Sequence, residues 1–443
     1  MRSVALIFVL AIATVVVSAQ DTRVPPMQNA PTFSKDVAPI LYSKCVTCHR
    51  PGEVAPMSLI TYRDARPWAR AIREKVTARE MPPWHADPAH GTFRNDRSLT
   101  QAQIDTIVRW VDGGARQGDE KQAPTVPTFA DGWQIGKPDV VFEMPVDYKI
   151  PPDGTVDYQY FEVPTNFKED RWISAGEVRA GNPEHVHHII VSVVEPPGNT
   201  RGNVMTVRAI NDGADSASRA PRQLTDTQRA QLATAARRAN AVSLVNWAVG
   251  EDAPVYPAGL AKRIPAGSTL QFQVHYTTNG SAATDRSRVG LIFAKEPPKN
   301  EIRTATIANA QFAIPAGASN HQVEAEATFN DDVKVWTMHP HMHLRGKDMT
   351  YTAIYPDGRQ EVVLHVPKYD FGWQTDYWLA QPLSLPKGSK LHVTAHFDNS
   401  PANRFNPDAK TVVRWGDQTW EEMMIGYITY TVDSARVATI AQR

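Results

Sequence analysis

The spacing of apolar positions changes near residue 130. Before it, Phe33, Val37, Ile40 and Leu41 recur at helical intervals, as do Ile104, Ile107, Val108 and Val111, the rhythm of helices with one buried face. The later of these stretches has defined ends: Thr100 with Gln103 reads as a capping box and Gly113-Gly114 as a stop. Beyond Trp133 the apolar runs are short and punctuated by Pro, Gly, Asn and Asp. They fall at Val140–Phe142, Tyr158–Val163, His188–Val194, Leu270–Tyr276, Val289–Phe293, Val333–Met338, Met349–Tyr355, Leu391–Phe397 and Met424–Thr431. Short strands so spaced predict antiparallel sandwiches. Leu224 to Ala241, rich in Ala, Gln and Arg, departs from the pattern and reads as a surface helical insertion. No repeat of a solenoid period is present.

At the start, Met1-Arg2, an apolar run from Val4 to Val17 and the small residues Ser18-Ala19 form a signal-peptide pattern. The run is short for a membrane span, and no later segment is apolar enough to be one. The expectation is cleavage after Ala19, a periplasmic or secreted protein, and no integral membrane segment thereafter. The fold class expected is multidomain: an all-α domain over 30–118, a polar Pro-containing linker over 119–132, and two all-β antiparallel, jelly-roll-like sandwich domains over 133–297 and 298–443. The boundary between the last two is placed at the proline-containing run Ala294–Asn300.

Composition narrows the function. Of 443 residues, 47 are Lys or Arg and 47 are Asp or Glu, with no basic block, so nucleic acid is not an expected partner. The two cysteines, Cys45 and Cys48, lie in one motif, so no long-range disulfide can staple the fold.

Cys45-Val46-Thr47-Cys48-His49 is C-x-x-C-H. Two thiols on one helical turn can each form a thioether with a haem vinyl group, and the adjacent imidazole can bind the iron. A redox dithiol is the rival reading, but that motif belongs in a βαβ context and the flanks here are helical. Met81, followed by Pro82-Pro83-Trp84 and one loop ahead of the capped helix, is the candidate sixth ligand. Met57, in Pro56-Met57-Ser58, competes with it. The segment from Thr32 to Gly118 resembles a class I cytochrome c, in which a methionine in this region ligates the iron. The resemblance implies one covalently bound haem c.

Half of the 14 histidines fall in His185-Val186-His187-His188, His275-Tyr276 and His339-Pro340-His341-Met342-His343. Residues i and i+2 of a strand project from one face, so His341 with either His343 or His339 can supply two imidazoles to one ion. His187 and His188 would point to opposite faces of a regular strand, and joint ligation requires a bulge or a strand end. His90, His321, His365 and His392 stand alone in the sequence and are read as ordinary strand or surface histidines. Spacing does not choose the metal, and zinc fits a three-imidazole site as well.

Taken in order, His187-His188-Ile189, the run Leu270–Tyr276, His341-Met342-His343-Leu344-Arg345-Gly346 and Glu421-Glu422-Met423 resemble the four copper-ligand motifs of the copper type II, ascorbate-dependent monooxygenases. The resemblance spans roughly 138 to 432. It implies two coppers, one held by His187, His188 and His275, and the other by His341, His343 and Met423. The second would be catalytic, since soft thioether sulfur favours the Cu(I) that meets O2. His343 is preferred to His339 for the Leu344 and Gly346 that follow it, and Met423 to Met424 for the acidic pair before it. The chain departs from the family in having no disulfides. It also has His339 where the peptidylglycine enzyme of the family carries a substrate-binding Arg, and Ile425 where that enzyme has Asn, which argues against a C-terminal glycine peptide as substrate.

The expected function is hydroxylation of a C–H bond of a small-molecule or peptide substrate with O2, with the haem passing electrons inward from an external donor. The alternative is a non-catalytic electron-transfer or copper-handling protein with an oxygenase-like fold.

Overall fold

The computed structural model describes residues 30–433 except 54, 130–131, 197–203, 211–240, 249 and 252. The signal-peptide stretch 1–19 lies outside these, as does the expected helix over 224–241 up to its last residue, Ala241, which begins a strand.

The expected order of an all-α cytochrome c domain followed by two all-β sandwich domains is not what the chain adopts. The protein is mostly β, 39% strand and 12% helical, with its sheets in a propeller-like arrangement and no all-α cytochrome c domain ahead of them. The helices are α1 (Ala38–Lys44), α2 (Tyr62–Ala65), α3 (Ala69–Thr77) and α4 (Gln101–Asp112). The longest of them has 12 residues, and helices of that length hold only through tertiary packing. Phe33, Val37, Leu41, Ile104, Ile107 and Trp110 give them a small common core. Thr100 caps α4 with the reciprocal Gln103 bond, and Gly113 follows its last turn.

What ties this segment to the β part is the stretch between α3 and α4. Ala86 and Phe93 are buried in the same core as Phe329, Tyr351 and Phe397, with Trp84 packed against it. Trp84, Phe93 and Tyr377 form a cluster of edge-on rings, with centroids 5.0–5.8 Å apart. The backbone joins in too: Phe93 bridges to Leu379, Arg94 N–H donates to Trp378 O, and Ala380 N–H donates to Thr92 O. Helical periodicity registers none of this, because residues 84–95 are irregular.

All nine runs read as strands from the sequence coincide with observed strands; the His188–Val194 run is part of Val186–Val194, and Val333–Met338 of Val333–His341. Their grouping crosses sequence order. Met205–Ile210 pairs with His321–Phe329, more than a hundred residues on, and Asn300–Glu301 pairs in parallel with Leu260–Ile264. Two large apolar cores result. One is built around Ile173, Ile189, Phe272 and Leu291, and the other around Phe329, Met338, Tyr351 and Phe397. Among the described residues no helix is long and apolar enough to cross a membrane.

Candidate functional site

Two histidine sets lie at or just beyond the ends of strands. In the first, Val186–Val194 pairs antiparallel with Thr269–Tyr276, placing His188 opposite His275. The register shifts between Val186 and His188, the bulge that lets His187 turn to the same side as His188. As a result His187, His188 and His275 each offer a ring nitrogen within 4.8 Å of the others. Nδ1 of His187 and Nδ1 of His188 are 3.0 Å apart, and His275 Nδ1 is buried with no hydrogen-bond partner.

A buried imidazole nitrogen without a partner costs about 1–3 kcal/mol, a penalty that a bound ion would remove. Burial holds all three rings neutral, His187 down to about 4, His275 to about 3 and His188 well below its ordinary value, the last two with added repulsion from neighbouring histidines. Neutral imidazoles are the form that binds metal. The remaining histidine of the His185–His188 motif is differently employed: His185 is bonded to Asn182 Oδ1 at 3.0 Å and Ser281 O at 3.3 Å.

The second set stands at the end of the Val333–His341 strand. His341 Nδ1 donates to Gln374 Oε1 at 2.7 Å and His343 Nδ1 to the Glu421 carbonyl at 3.1 Å. Each bond fixes a tautomer and leaves Nε2 with its lone pair. The two rings are 5.3 Å apart and nearly perpendicular. Burial lowers His341 to about 3 and His343 to about 4. Buried Glu422 organises the turn beneath them by accepting His343 N–H at 2.8 Å and Arg345 N–H at 2.6 Å. Of the two methionines, Met424 is fully buried in the apolar core, whereas Met423 is half-buried, next to Glu422.

His339, the competitor for this set, is engaged elsewhere. Its Nδ1 lies 3.0 Å from Asp376 Oδ1 and 4.0 Å from Glu251 Oε1. Burial alone would lower it, but these carboxylates hold it above its ordinary value.

One aromatic ring lies against both sets. Phe371 is stacked on His187 at 5.1 Å, 6.1 Å from His275 and 5.9 Å from His343. Tyr158 packs 4.8 Å from His275 and 5.7 Å from His188, and burial raises its phenol. Phe371, Gln374 and Tyr158 were not singled out from the sequence, since a lone Phe, Gln or Tyr in a loop carries no ligand pattern.

The C-x-x-C-H motif follows α1. No disulfide joins Cys45 and Cys48, and burial pushes the Cys45 thiol up to about 12, a protonated thiol poorly suited to ligate a metal ion as thiolate. His49 Nδ1 lies 3.3 Å from the Met57 carbonyl, a bond that fixes the tautomer and leaves Nε2 with its lone pair. Met81 follows α3, and its N–H lies 3.4 Å from Lys75 O. On the far side of the motif Gly250 adopts φ 86°, and a side chain there would meet Trp373, Arg97 and, at 3.8 Å, Cys48 Sγ. Gly250 thus lies between Cys48 and Trp373, the latter on the loop that carries Phe371 and Gln374.

No family model matches the sequence, and none of the curated proteins matches it. Among solved structures it is similar to one of infectious bursal disease virus Gt strain, with 13% identity over 70% of this chain and 74% of that one and a TM-score of 0.18. For an allantoicase the figures are 11% identity, 57% and 79% coverage and a TM-score of 0.15. For a Paenibacillus xanthan lyase they are 11%, 72% and 28%, and 0.15. Scores of this size carry no argument about fold or function.

Proposed function

We propose that this chain is an exported haem- and copper-dependent monooxygenase that hydroxylates a C–H bond of a small-molecule or peptide substrate with O2, drawing electrons from an external donor. The observation that carries the reading is the juxtaposition of two unequal sets. One consists of three neutral imidazoles with an unpartnered buried nitrogen. The other, two imidazoles with tautomers fixed by Gln374 and the Glu421 carbonyl, with Met423 two positions after Glu421 in the sequence, lies across a single phenyl ring from it. Copper held by such sets supplies one-electron transfer at the all-imidazole position and O2 chemistry at the position with the thioether, and haem supplies one-electron transfer from outside.

In this reading His187, His188 and His275 hold the first copper, and His341, His343 and Met423 the second. Gln374 and the Glu421 carbonyl orient the second pair, and Phe371 with Tyr158 keeps water from the first. Cys45 and Cys48 would anchor the haem, His49 and Met81 would ligate its iron, and the loop carrying Phe371 and Trp373 lies against the histidine sets and, through Gly250, near Cys48.

One observation favours a second reading. Phe371 occupies the space between the sets that a substrate would need, as in a non-catalytic electron-transfer or copper-handling protein. The experiment is anaerobic reduction of the copper-loaded protein, then a pulse of 18O2 with mass spectrometry of candidate substrates. The expected result is a product carrying one 18O atom, lost in His341→Ala and absent without copper. Oxidation of the protein with no labelled product from any substrate favours the second reading. Haem that leaves on acid-acetone extraction overturns the thioether assignment, and a His275→Ala variant that retains two coppers overturns the ligand set.

A further inference from the structure

The irregular stretch between α3 and α4 carries a third group of donors, remote in sequence from both histidine sets. Asp87 and His90 lie three apart in one turn, closed by His90 N–H donating to Asp87 O at 3.1 Å. His365 lies on the Gln360–Val366 strand, an outer strand of its sheet, and Asp87 N–H donates to the His365 carbonyl at 2.8 Å. The backbone thereby brings three side chains from two distant segments to one point.

The spacing at that point is informative. Asp87 Oδ2 lies 3.4 Å from His365 Nδ1 and 3.9 Å from His90 Nε2, both longer than the 2.7–3.2 Å of ordinary hydrogen bonds. Four ligands at about 2.1 Å in a tetrahedron stand about 3.4 Å apart, and the three donor atoms here are all within 4.8 Å of one another. The carboxylate is aimed, since its other oxygen accepts Ala89 N–H at 2.9 Å. The rings do not stack; their planes meet at 66° with centroids 6.0 Å apart. The side chains keep 29–36% of their exposure, so an ion can enter and a water can complete the fourth position.

The geometry points to a third metal site, in which Asp87, His90 and His365 bind a divalent transition cation of the zinc type. The site fastens the 84–95 stretch to the β part. That stretch pairs through Asp87 with the outer strand of one sheet, and through Thr92, Phe93 and Arg94 with Tyr377–Leu385, the outer strand of another. An ion at Asp87 adds to the backbone bond with His365 and the buried Ala86 in pinning this end of the clip, and so fixes the helical segment against the β part. The site is separate from the two histidine sets and stands whether or not they bind copper.

The test uses the full chain with His275→Ala and His341→Ala, to disable both other sets, and Zn2+ or Co2+ as the probe. Equilibrium dialysis should leave one zinc bound, and Co2+ should give the visible absorption of a tetrahedral N/O site. Adding His365→Gln or, separately, the half-exposed His90→Ala should abolish both signals. In the same double variant zinc should raise the melting temperature, and adding His90→Ala should remove that rise while leaving the metal-free melting temperature within about a degree. Zinc retained equally by both added variants overturns the site, as does the absence of any retained zinc in the starting double variant.

Discussion

Glu422 is the residue through which the second histidine set is tied to the core, and its removal gives a calculable loss. The carboxylate is fully buried and accepts two backbone N–H groups, from His343 at 2.8 Å and Arg345 at 2.6 Å. Burial pushes its pKa up to about 8 even against these bonds. Glu422→Ala strands two buried donors at about 1–3 kcal/mol each, roughly 2–6 kcal/mol together. Glu422→Gln keeps one carbonyl oxygen but sets an amide N–H against the other donor, so it should lose about half as much or more. Urea unfolding should show a lower midpoint at unchanged slope, the mark of lost stability without a changed native fold. Amide exchange at His343 and Arg345 should accelerate, and copper at the second set should be weakened while the His187 set is spared. A loss under about 1 kcal/mol, with both amides as protected as in the parent, would refute the reasoning.

In the metal-free protein, acid should act through the buried imidazoles. His187, His188, His275, His341 and His343 are held below their ordinary value of 6.5 by burial. Their contribution is therefore complete above about pH 6.5 and lost as pH falls towards about 4, by up to ~1.4 kcal/mol per pH unit for each histidine. His339 and Glu422, whose values are raised, work in the opposite sense and lose their contribution as pH rises. His49 and His85 are lowered too, and Glu177 and Glu251 raised; seven lowered imidazoles against four raised groups predict a net fall on acidification, and a urea midpoint constant from pH 6.5 to 4.5 would contradict it. Phe93→Ala should cost roughly 3–5 kcal/mol and free the 84–95 stretch for proteolysis; unchanged cleavage there would show that the stretch is not held by its rings. Gly250→Ala forces a side chain into a left-handed backbone beside Trp373 and should cost about 1–2 kcal/mol, read as a lowered melting temperature.

Nine of the strands were legible because each keeps its own period and its own turn residues, whereas others such as Arg171–Arg179 and Tyr377–Leu385 were not read; α4 was legible because its cap is written in four consecutive residues. Architecture was not. Helical spacing at Phe33–Leu41 and Ile104–Val111 predicts helices wherever they end up packing, and nothing in it says that between them Ala86 and Phe93 are buried in a β core with Trp84 packed against it. Strand patterns likewise name no partner: Met205–Ile210 reads the same whether it pairs with a neighbour or, as here, with His321–Phe329. The inference of an independent all-α domain failed at that step, from local period to long-range packing.

The histidine sets show the converse. Adjacent histidines in one motif are incompatible with joint ligation on a regular strand, so the sequence requires a bulge, and the register breaks between Val186 and His188. Residues that act on the sets from a distance leave no such mark. Phe371, Gln374 and Asp376 lie within six positions of one another and contact, respectively, both sets, His341 and His339, while Trp373 between them reaches Gly250 beside Cys48. A loop that touches five histidines, His187, His275, His343, His341 and His339, and the neighbourhood of the C-x-x-C-H motif couples these groups mechanically. A shift of that loop moves the wall between the sets, the tautomer-fixing partner of His341 and the contact with the motif together. If the chain admits a substrate, the displacement of Phe371 that makes room for it must alter the environment of His341 in the same step.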